Sequence, residues 1–205
     1  MIAKDNRFLI ILSAPSGGGK STILNRILEV HPGIDYSVSY TTRKPRGIEQ
    51  DGVHYHFVRE VDFLVRKENG DFLERARVFD NWYGTSISYI QSCLEKGRHV
   101  IMDIDVQGAA QISSTRIPYV KIFIIPPSMD ELKQRLINRQ TDSMEEIEKR
   151  LRIARDEIKQ IDSYDYLVIN DDLDTAVDDV LNIIRAEENR TSRYRDPVSG
   201  FLNPQ

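Results

Sequence analysis

Cysteine is almost missing from this chain: Cys93 is the only one in 205 residues, so no intramolecular disulfide and no multi-cysteine zinc site can form. That usage points to a reducing compartment, and the cytoplasm is the expected location. Long hydrophobic runs are missing as well. Met1 to Arg7 are too polar, and the apolar stretch behind them too short, for a secretory signal or a membrane span, so no membrane partner is expected. Positive charge is in deficit, with 28 Lys and Arg against 32 Asp and Glu and a formal net charge of −4. No global positive field therefore recruits nucleic acid, and any anion site must come from local clusters of arginine. Histidine is scarce; His54 and His56 alternate along an expected strand, but two histidines without a third ligand do not make a metal site. Internal repeats and low-complexity tracts are also lacking. What remains is 40% hydrophobic and 29% charged, enough to bury the core of one compact unit.

The first thing present is an apolar run, Phe8-Leu9-Ile10-Ile11-Leu12, that leads into Ala14-Pro15-Ser16-Gly17-Gly18-Gly19-Lys20-Ser21 and then into Thr22-Ile23-Leu24-Asn25-Arg26-Ile27-Leu28. This is a strand, a phosphate loop and a helix. The loop fits G-x-x-x-x-G-K-[ST] except that Ala14 stands at the first glycine, a change of one methyl group. Glycines can turn successive N–H groups inward, and the helix that follows adds the positive end of its dipole. Residues 14–22 are thus an expected ATP-binding segment, in which Lys20 supplies charge to the β- and γ-phosphates and the Ser21 hydroxyl is placed for Mg²⁺.

Three further short apolar runs, Val100-Ile101-Met102, Ile122-Phe123-Ile124-Ile125 and Tyr166-Leu167-Val168-Ile169, predict strands buried on both faces of a parallel sheet. Helices fall between them. Ser128 with Glu131, and Ser143 with Glu146, have capping-box spacing. Met144, Ile147, Leu151, Ala154, Ile158 and Ile161 form one apolar stripe, which is read as core. A last helix is expected from about Asp174 to Glu188, with a loosely ordered tail over 191–205. Residues 35–94 break this α/β rhythm. Their alternating tracts, Tyr36-Ser37-Val38-Ser39-Tyr40 and Tyr55-His56-Phe57-Val58, predict a small mixed or antiparallel sheet inserted in a core made of 1–34 and 95–205. Within the insert, Thr41-Thr42-Arg43-Lys44-Pro45-Arg46-Gly47 sets two arginine forks three residues apart. Such forks suit a phosphate, although a solvated basic turn would read the same way.

At these residues the chain resembles guanylate kinases, which are ATP:GMP phosphotransferases. The spaced pattern Thr41-Thr42-Arg43, Arg46, Glu49, Gly52, Tyr55, Phe57-Val58 matches that family's signature without a gap. Phe72-Leu73-Glu74, Trp82-Tyr83-Gly84-Thr85, Asp103-Ile104-Asp105 with Gln107-Gly108, and Asn170-Asp171-Asp172 follow in the family's order. The resemblance implies a P-loop α/β fold of three layers with a central parallel sheet, a nucleotide-monophosphate-binding insert and a helical lid near 136–155. It implies Mg²⁺-dependent transfer of the ATP γ-phosphate to GMP or dGMP, in purine nucleotide metabolism. By the same resemblance Arg43, Arg46, Tyr55 and Tyr83 hold the GMP phosphate, while Ser39, Glu74 and Thr85 read guanine. Asp103 or Asp105 lies near the acceptor or the metal. Arg139 and Arg150 come over the phosphates from the lid, with Arg135 beside them, and Asn170 and Asp171 lie by the adenine. Asn138 and Gln140 flank Arg139 where many bacterial relatives have glycine.

No general base stands near these motifs, and the reaction explains why: a GMP phosphate oxygen is largely ionised at pH 7, so catalysis reduces to alignment and charge neutralisation by Lys20, Arg46, Arg139, Arg150 and Mg²⁺. Three alternatives are distinguishable. Asp105-Val106-Gln107-Gly108 matches the D-x-x-G element of GTPases, but no N-K-x-D guanine motif accompanies it. A kinase for another phosphorylated sugar or nucleotide would lack the guanine readers. A phosphopeptide-binding scaffold module would have a degraded phosphate loop, whereas Lys20 and Ser21 are intact. Oligomeric state is left open by the sequence.

Overall fold

A computed structural model describes residues 7–78, 80–112, 115–138 and 143–194, together with Leu202. In chain order its elements are β1 (Leu9–Ser13), α1 (Lys20–Val30), β2 (Ile34–Tyr36), β3 (Tyr40–Thr41), β4 (His56–Phe57), α2 (Glu60–Glu68), β5 (Phe72–Val78) and β6 (Asn81–Ser86). They continue with α3 (Ile87–Glu95), β7 (His99–Asp103), α4 (Val106–Gln111), β8 (Tyr119–Ile125), α5 (Met129–Asn138), α6 (Met144–Ile158), β9 (Tyr166–Ile169) and α7 (Leu173–Glu188).

Five strands form a parallel sheet in the order β2-β7-β1-β8-β9. Its central strand alternates by the pleat: Phe8, Ile10 and Leu12 join one buried cluster with residues of α1 and α7, and Leu9 and Ile11 join another with residues of α3 and α4. Helices therefore cover both faces, which gives three layers of P-loop α/β type. Because β1 is followed by β2 on one side while β8 lies on the other, the chain changes direction beside β1. In open α/β sheets that point, at the carboxyl ends of the strands, is where ligands bind. The loop after β1 sits there.

A second, four-stranded mixed sheet has the order β4-β3-β6-β5. Phe63 of α2 stacks on Phe72 and Trp82 with ring centroids 4.4 and 5.8 Å apart. A Cβ on Gly84 would meet Phe72 and Phe63 atoms at 3.0–3.1 Å, so glycine is what lets β6 run beneath both rings.

Four expectations need correction. The tract Tyr36–Tyr40 is not one strand of the smaller sheet: Ile34–Tyr36 pairs with β7 as an edge of the large sheet, and only Tyr40 enters the small one. A three-residue edge strand with one buried side chain leaves no periodic signal. Helix α3 likewise belongs with the core, since Ile90 and Cys93 pack with Leu9 and Ile11. Strand β9 is not buried on both faces; Leu167 and Ile169 are 46% and 52% exposed, because it is an edge strand. The chain after α7 starts with an ordered 3-10 turn, Thr191–Arg193. There Arg193 donates to buried Glu187 at 2.6 Å and lies 4.0 Å over the Phe8 ring. The expectation for 195–201 and 203–205 falls outside the described residues.

The capping residues behave as read. Ser128 accepts from the Glu131 N–H, and Ser143 from the Glu146 N–H. In α6 Ile147, Leu151 and Ala154 pack on Leu132 and Leu136 of α5, while Met144, at the start of the stripe, is exposed.

Candidate active site

The loop from Ala14 to Gly19 turns back on itself through a bond from Gly18 N–H to Pro15 O at 2.8 Å. Gly17 and Gly19 have φ of 94° and 92°, which side-chain-bearing residues rarely adopt. A Cβ on Gly19 would also collide with the Asn170 side-chain amide, which donates to Gly18 O at 2.9 Å. Gly19 caps α1 without a side-chain acceptor, so the first N–H groups of that helix are left to a ligand. Ala14 is tolerated because its φ is not positive, so the position does not require glycine. Arg135 donates to Glu131 at 2.8 Å and to Asn170 O at 2.9 Å. A groove of about 430 Å³ results, lined by Gly17, Gly19, Thr22, Arg135, Asn138, Asn170, Asp171 and Leu173. Ser16 and Ser21 are exposed beside it.

A second cleft, of about 280 Å³, opens between the two sheets and is lined by Lys20, Ser39, Tyr55, Glu74, Ala76, Tyr83, Asp103, Ile104 and Asp105. Glu74, at 4% exposure, accepts from the Thr85 hydroxyl at 2.6 Å. Ser39 Oγ lies 3.1 Å from Thr85 Oγ1 and, since the Thr85 proton goes to Glu74, Ser39 is the donor. Burial, reinforced by the Asp105 charge and opposed by Thr85, pushes the Glu74 carboxyl up to about 7. Tyr55 and Tyr83 meet edge to face at 5.8 Å. Lys20 joins this cleft to the phosphate loop, with its Nζ 3.6 Å from Asp103 Oδ2 and 3.4 Å from Ile104 O. Asp105 caps α4 by accepting from Gly108 N–H at 2.8 Å, so the D-x-x-G spacing here is a helix cap.

The arginines are less assembled. Arg43 makes a bidentate pair with Glu49 at 2.9 Å for each bond, and the Arg46 N–H donates to the same carboxylate at 2.7 Å. That pairing raises the Arg43 pKa and holds Glu49 down to about 2. Arg43 also stands 5.3 Å over the Tyr55 ring, which orients it at the cleft's rim. Arg46 is exposed, Arg150 is half-buried on α6, and neither lines either cavity. Arg139 lies outside the described residues. His54 accepts from Gln50 N–H, and His56 stacks on Tyr40.

Three residues here had no role in the sequence reading. Glu49 was visible within the signature, and its spacing behind two arginines was the available signal. Tyr36 donates to Asp103 Oδ1 at 2.7 Å across 67 positions, a contact that no local pattern encodes. Glu157 of α6 approaches the phosphate loop; burial and Asp105 raise its pKa, while Lys20 and the Ser16 N–H lower it. Among the described residues no group of three or more His, Cys, Asp or Glu forms a metal cluster. Ser21, exposed at the start of α1, and Asp103, 3.6 Å from Lys20, offer hard oxygen donors of the kind that suits Mg²⁺ sharing its shell with phosphates and water.

A family model described as guanylate kinase matches residues 6–187. The chain is 46% identical to a guanylate kinase of Clostridioides difficile, covering 93% of each chain. It is also 46% identical to one from Methylobacillus flagellatus, covering 95% of this chain and 98% of the relative. A crystal structure of guanylate kinase from Anaplasma phagocytophilum superposes with a TM-score of 0.80 at 35% identity, covering 100% of this chain and 97% of that one.

Proposed function

The chain belongs to the guanylate kinase family and phosphorylates GMP to GDP with ATP; from that premise we propose which parts of the molecule carry each step. GMP, or dGMP, occupies the cleft between the sheets. Its guanine lies against Ser39, Thr85 and Glu74, and its phosphate points toward Tyr55, Tyr83, Arg43 and Arg46. ATP occupies the groove at the phosphate loop, with its adenine near Asn170 and Asp171 and its phosphates within residues 14–22. The observation that carries this reading is Lys20, which lines the acceptor cleft although it belongs to the phosphate loop, so the transferred group would cross a short gap beside one cation.

Guanine presents N1–H and an exocyclic amine along one edge, and an ionised Glu74 accepts both, whereas adenine offers an acceptor at N1 and is mismatched. The Thr85 and Ser39 hydroxyls fix which carboxylate oxygen remains available. Mg²⁺, held by Ser21 and Asp103, would supply charge neutralisation on the triphosphate. No base is required, because the attacking oxygen is already ionised. The protein's task is to align donor and acceptor, to spread positive charge from Lys20, Arg46, Arg139 and Arg150 over the moving phosphoryl, and to exclude water. Closing α5 and α6 over the groove would bring the lid arginines to the phosphates.

A coupled ADP-release assay with ATP and a panel of nucleoside monophosphates tests the reading. GMP and dGMP should turn over, while AMP, CMP and UMP should give kcat/KM lower by orders of magnitude. Equal rates for GMP and AMP would refute the guanine assignment. Among the described residues no helix is long and apolar enough to cross a membrane, and we assign the activity to the cytoplasm.

A further inference from the structure

Tyr36 ends β2 in register with Ile101 of β7. Asp103 stands two residues further along β7 and so projects from the same face, one pleat ahead. The tyrosine ring spans that offset, and its hydroxyl donates to Asp103 Oδ1 at 2.7 Å. Asp103 Oδ2 is 3.6 Å from Lys20 Nζ, longer than the 2.7–2.9 Å of a direct charge-assisted bond. Asp103 is thus drawn one way by a neutral donor and the other way by the cation of the phosphate loop. The neutral donor is fixed in place: Ser37 N–H donates to Ile101 O at 2.9 Å, and the Tyr89 hydroxyl donates to Tyr36 O at 3.1 Å. Burial and the Asp103 charge push the Tyr36 pKa well above its ordinary value, so the hydroxyl keeps its proton.

We propose that Tyr36 is a positioning residue: by holding Asp103 on the acceptor side, it prevents that carboxylate from closing onto Lys20 and leaves the lysine available to the donor phosphates. The inference rests on the function proposed above, since it takes a triphosphate to enter the phosphate loop. Without the hydroxyl, Lys20 is, among the described residues, the only oppositely charged side chain that pairs with Asp103. The carboxylate then swings into direct contact, and an incoming nucleotide must break a tighter ion pair before Lys20 can turn to its phosphates.

The test is ATP affinity, measured by titration calorimetry in EDTA so that no metal bridges the carboxylate, on wild type, Tyr36→Phe, Asp103→Asn and the double variant. Tyr36→Phe should weaken ATP roughly three- to tenfold in the wild-type background, the scale of one ordinary hydrogen bond between folded-state groups. In the Asp103→Asn background the same substitution should change nothing, because no charge is left to close on Lys20. Asp103→Ala substitutes for Asp103→Asn if the latter fails to fold. Undiminished ATP binding by Tyr36→Phe, or equal weakening in both backgrounds, overturns the proposal. Wild-type protein that binds ATP and turns over GMP while Tyr36→Phe is silent counts against Tyr36 alone; wild-type protein that does neither counts against the function itself.

Discussion

Glu74 titrates near neutrality in the empty protein, so its ionisation should be visible in GMP binding. With a pKa of about 7, raised by burial first and the Asp105 charge second, it is about nine-tenths protonated at pH 6 and about nine-tenths ionised at pH 8. Only the ionised form accepts both guanine donors, so GMP affinity should rise roughly tenfold between pH 6 and pH 8. The phosphate of GMP titrates in the same range and adds its own slope. Glu74→Gln keeps that slope and removes the carboxylate's. Titration calorimetry at pH 6 in two buffers of different ionisation heat separates them: wild type should release close to one proton more than Glu74→Gln on binding GMP. The amide also turns a donor toward the guanine donors, which should lower kcat/KM for GMP roughly ten- to hundredfold, narrow the gap to AMP and leave ATP affinity unchanged. Equal proton release by both proteins would refute the argument.

The same group acts with opposite sign on the stability of the empty fold. Its folded pKa of about 7 exceeds the ordinary carboxylate value of 4.5, so between the two the folded state holds a proton that the unfolded state has lost. Stability therefore falls as pH rises through that window, and the penalty, roughly 3 kcal/mol, is complete above it. Glutamine has no proton to lose. Glu74→Gln should melt higher than wild type at pH 8 and nearly level with it at pH 5, which sets lost recognition apart from lost folding.

Lys20→Ala should lower kcat by about two orders of magnitude while most of the GMP affinity is kept and Tm stays close to wild type, because the charge serves chiefly the moving phosphoryl; near-normal turnover in the ADP-release assay would remove the phosphate loop from the mechanism. Arg46→Lys keeps charge and loses the fork, so steady-state kinetics should show a fall in kcat as well as a rise in the GMP KM; a change in KM alone would make Arg46 a binding residue only. Arg193→Met strips one of three partners from Glu187, which is 1% exposed and keeps Tyr166 and Arg190, and should destabilise the fold by roughly 1–2 kcal/mol in urea titrations with kcat little altered.

The phosphate loop was legible because its strand, its glycines, its lysine and its helix are consecutive, so one short window holds the whole local structure. The caps at Ser128 and Ser143 were legible for the same reason, three residues sufficing to define each. The exposed face of β9 was not: four apolar residues read alike in a central strand and at an edge, and only strand order tells them apart. Arg43 shows the limit for charged groups. Its fork was readable as a phosphate ligand, but whether it stood free or paired depended on a turn that returns Glu49 to it.

Lys20 shares a cleft with two carboxylates of unequal use, and in the function proposed above that placement ties the two nucleotide sites together. Asp103 lies 3.6 Å away and Glu74 lines the same cleft, so an acceptor phosphate enters a region where the nearest fixed charges include acids as well as cations. Repulsion between that phosphate and Asp103 is relieved when Lys20 remains near, yet the donor needs the same lysine. One cation cannot fully serve both phosphates. On the proposed function, additional positive charge has to arrive as the second nucleotide binds, and the arginines at 43, 46, 135, 139 and 150 are its proposed source. A fold that kept all of them at the cleft permanently would hold a cluster of like charges together in the absence of ligand. Arg43 is instead neutralised by Glu49, and Arg135 by Glu131. On that reading charge assembly is coupled to the arrival of substrate, and transfer waits for closure.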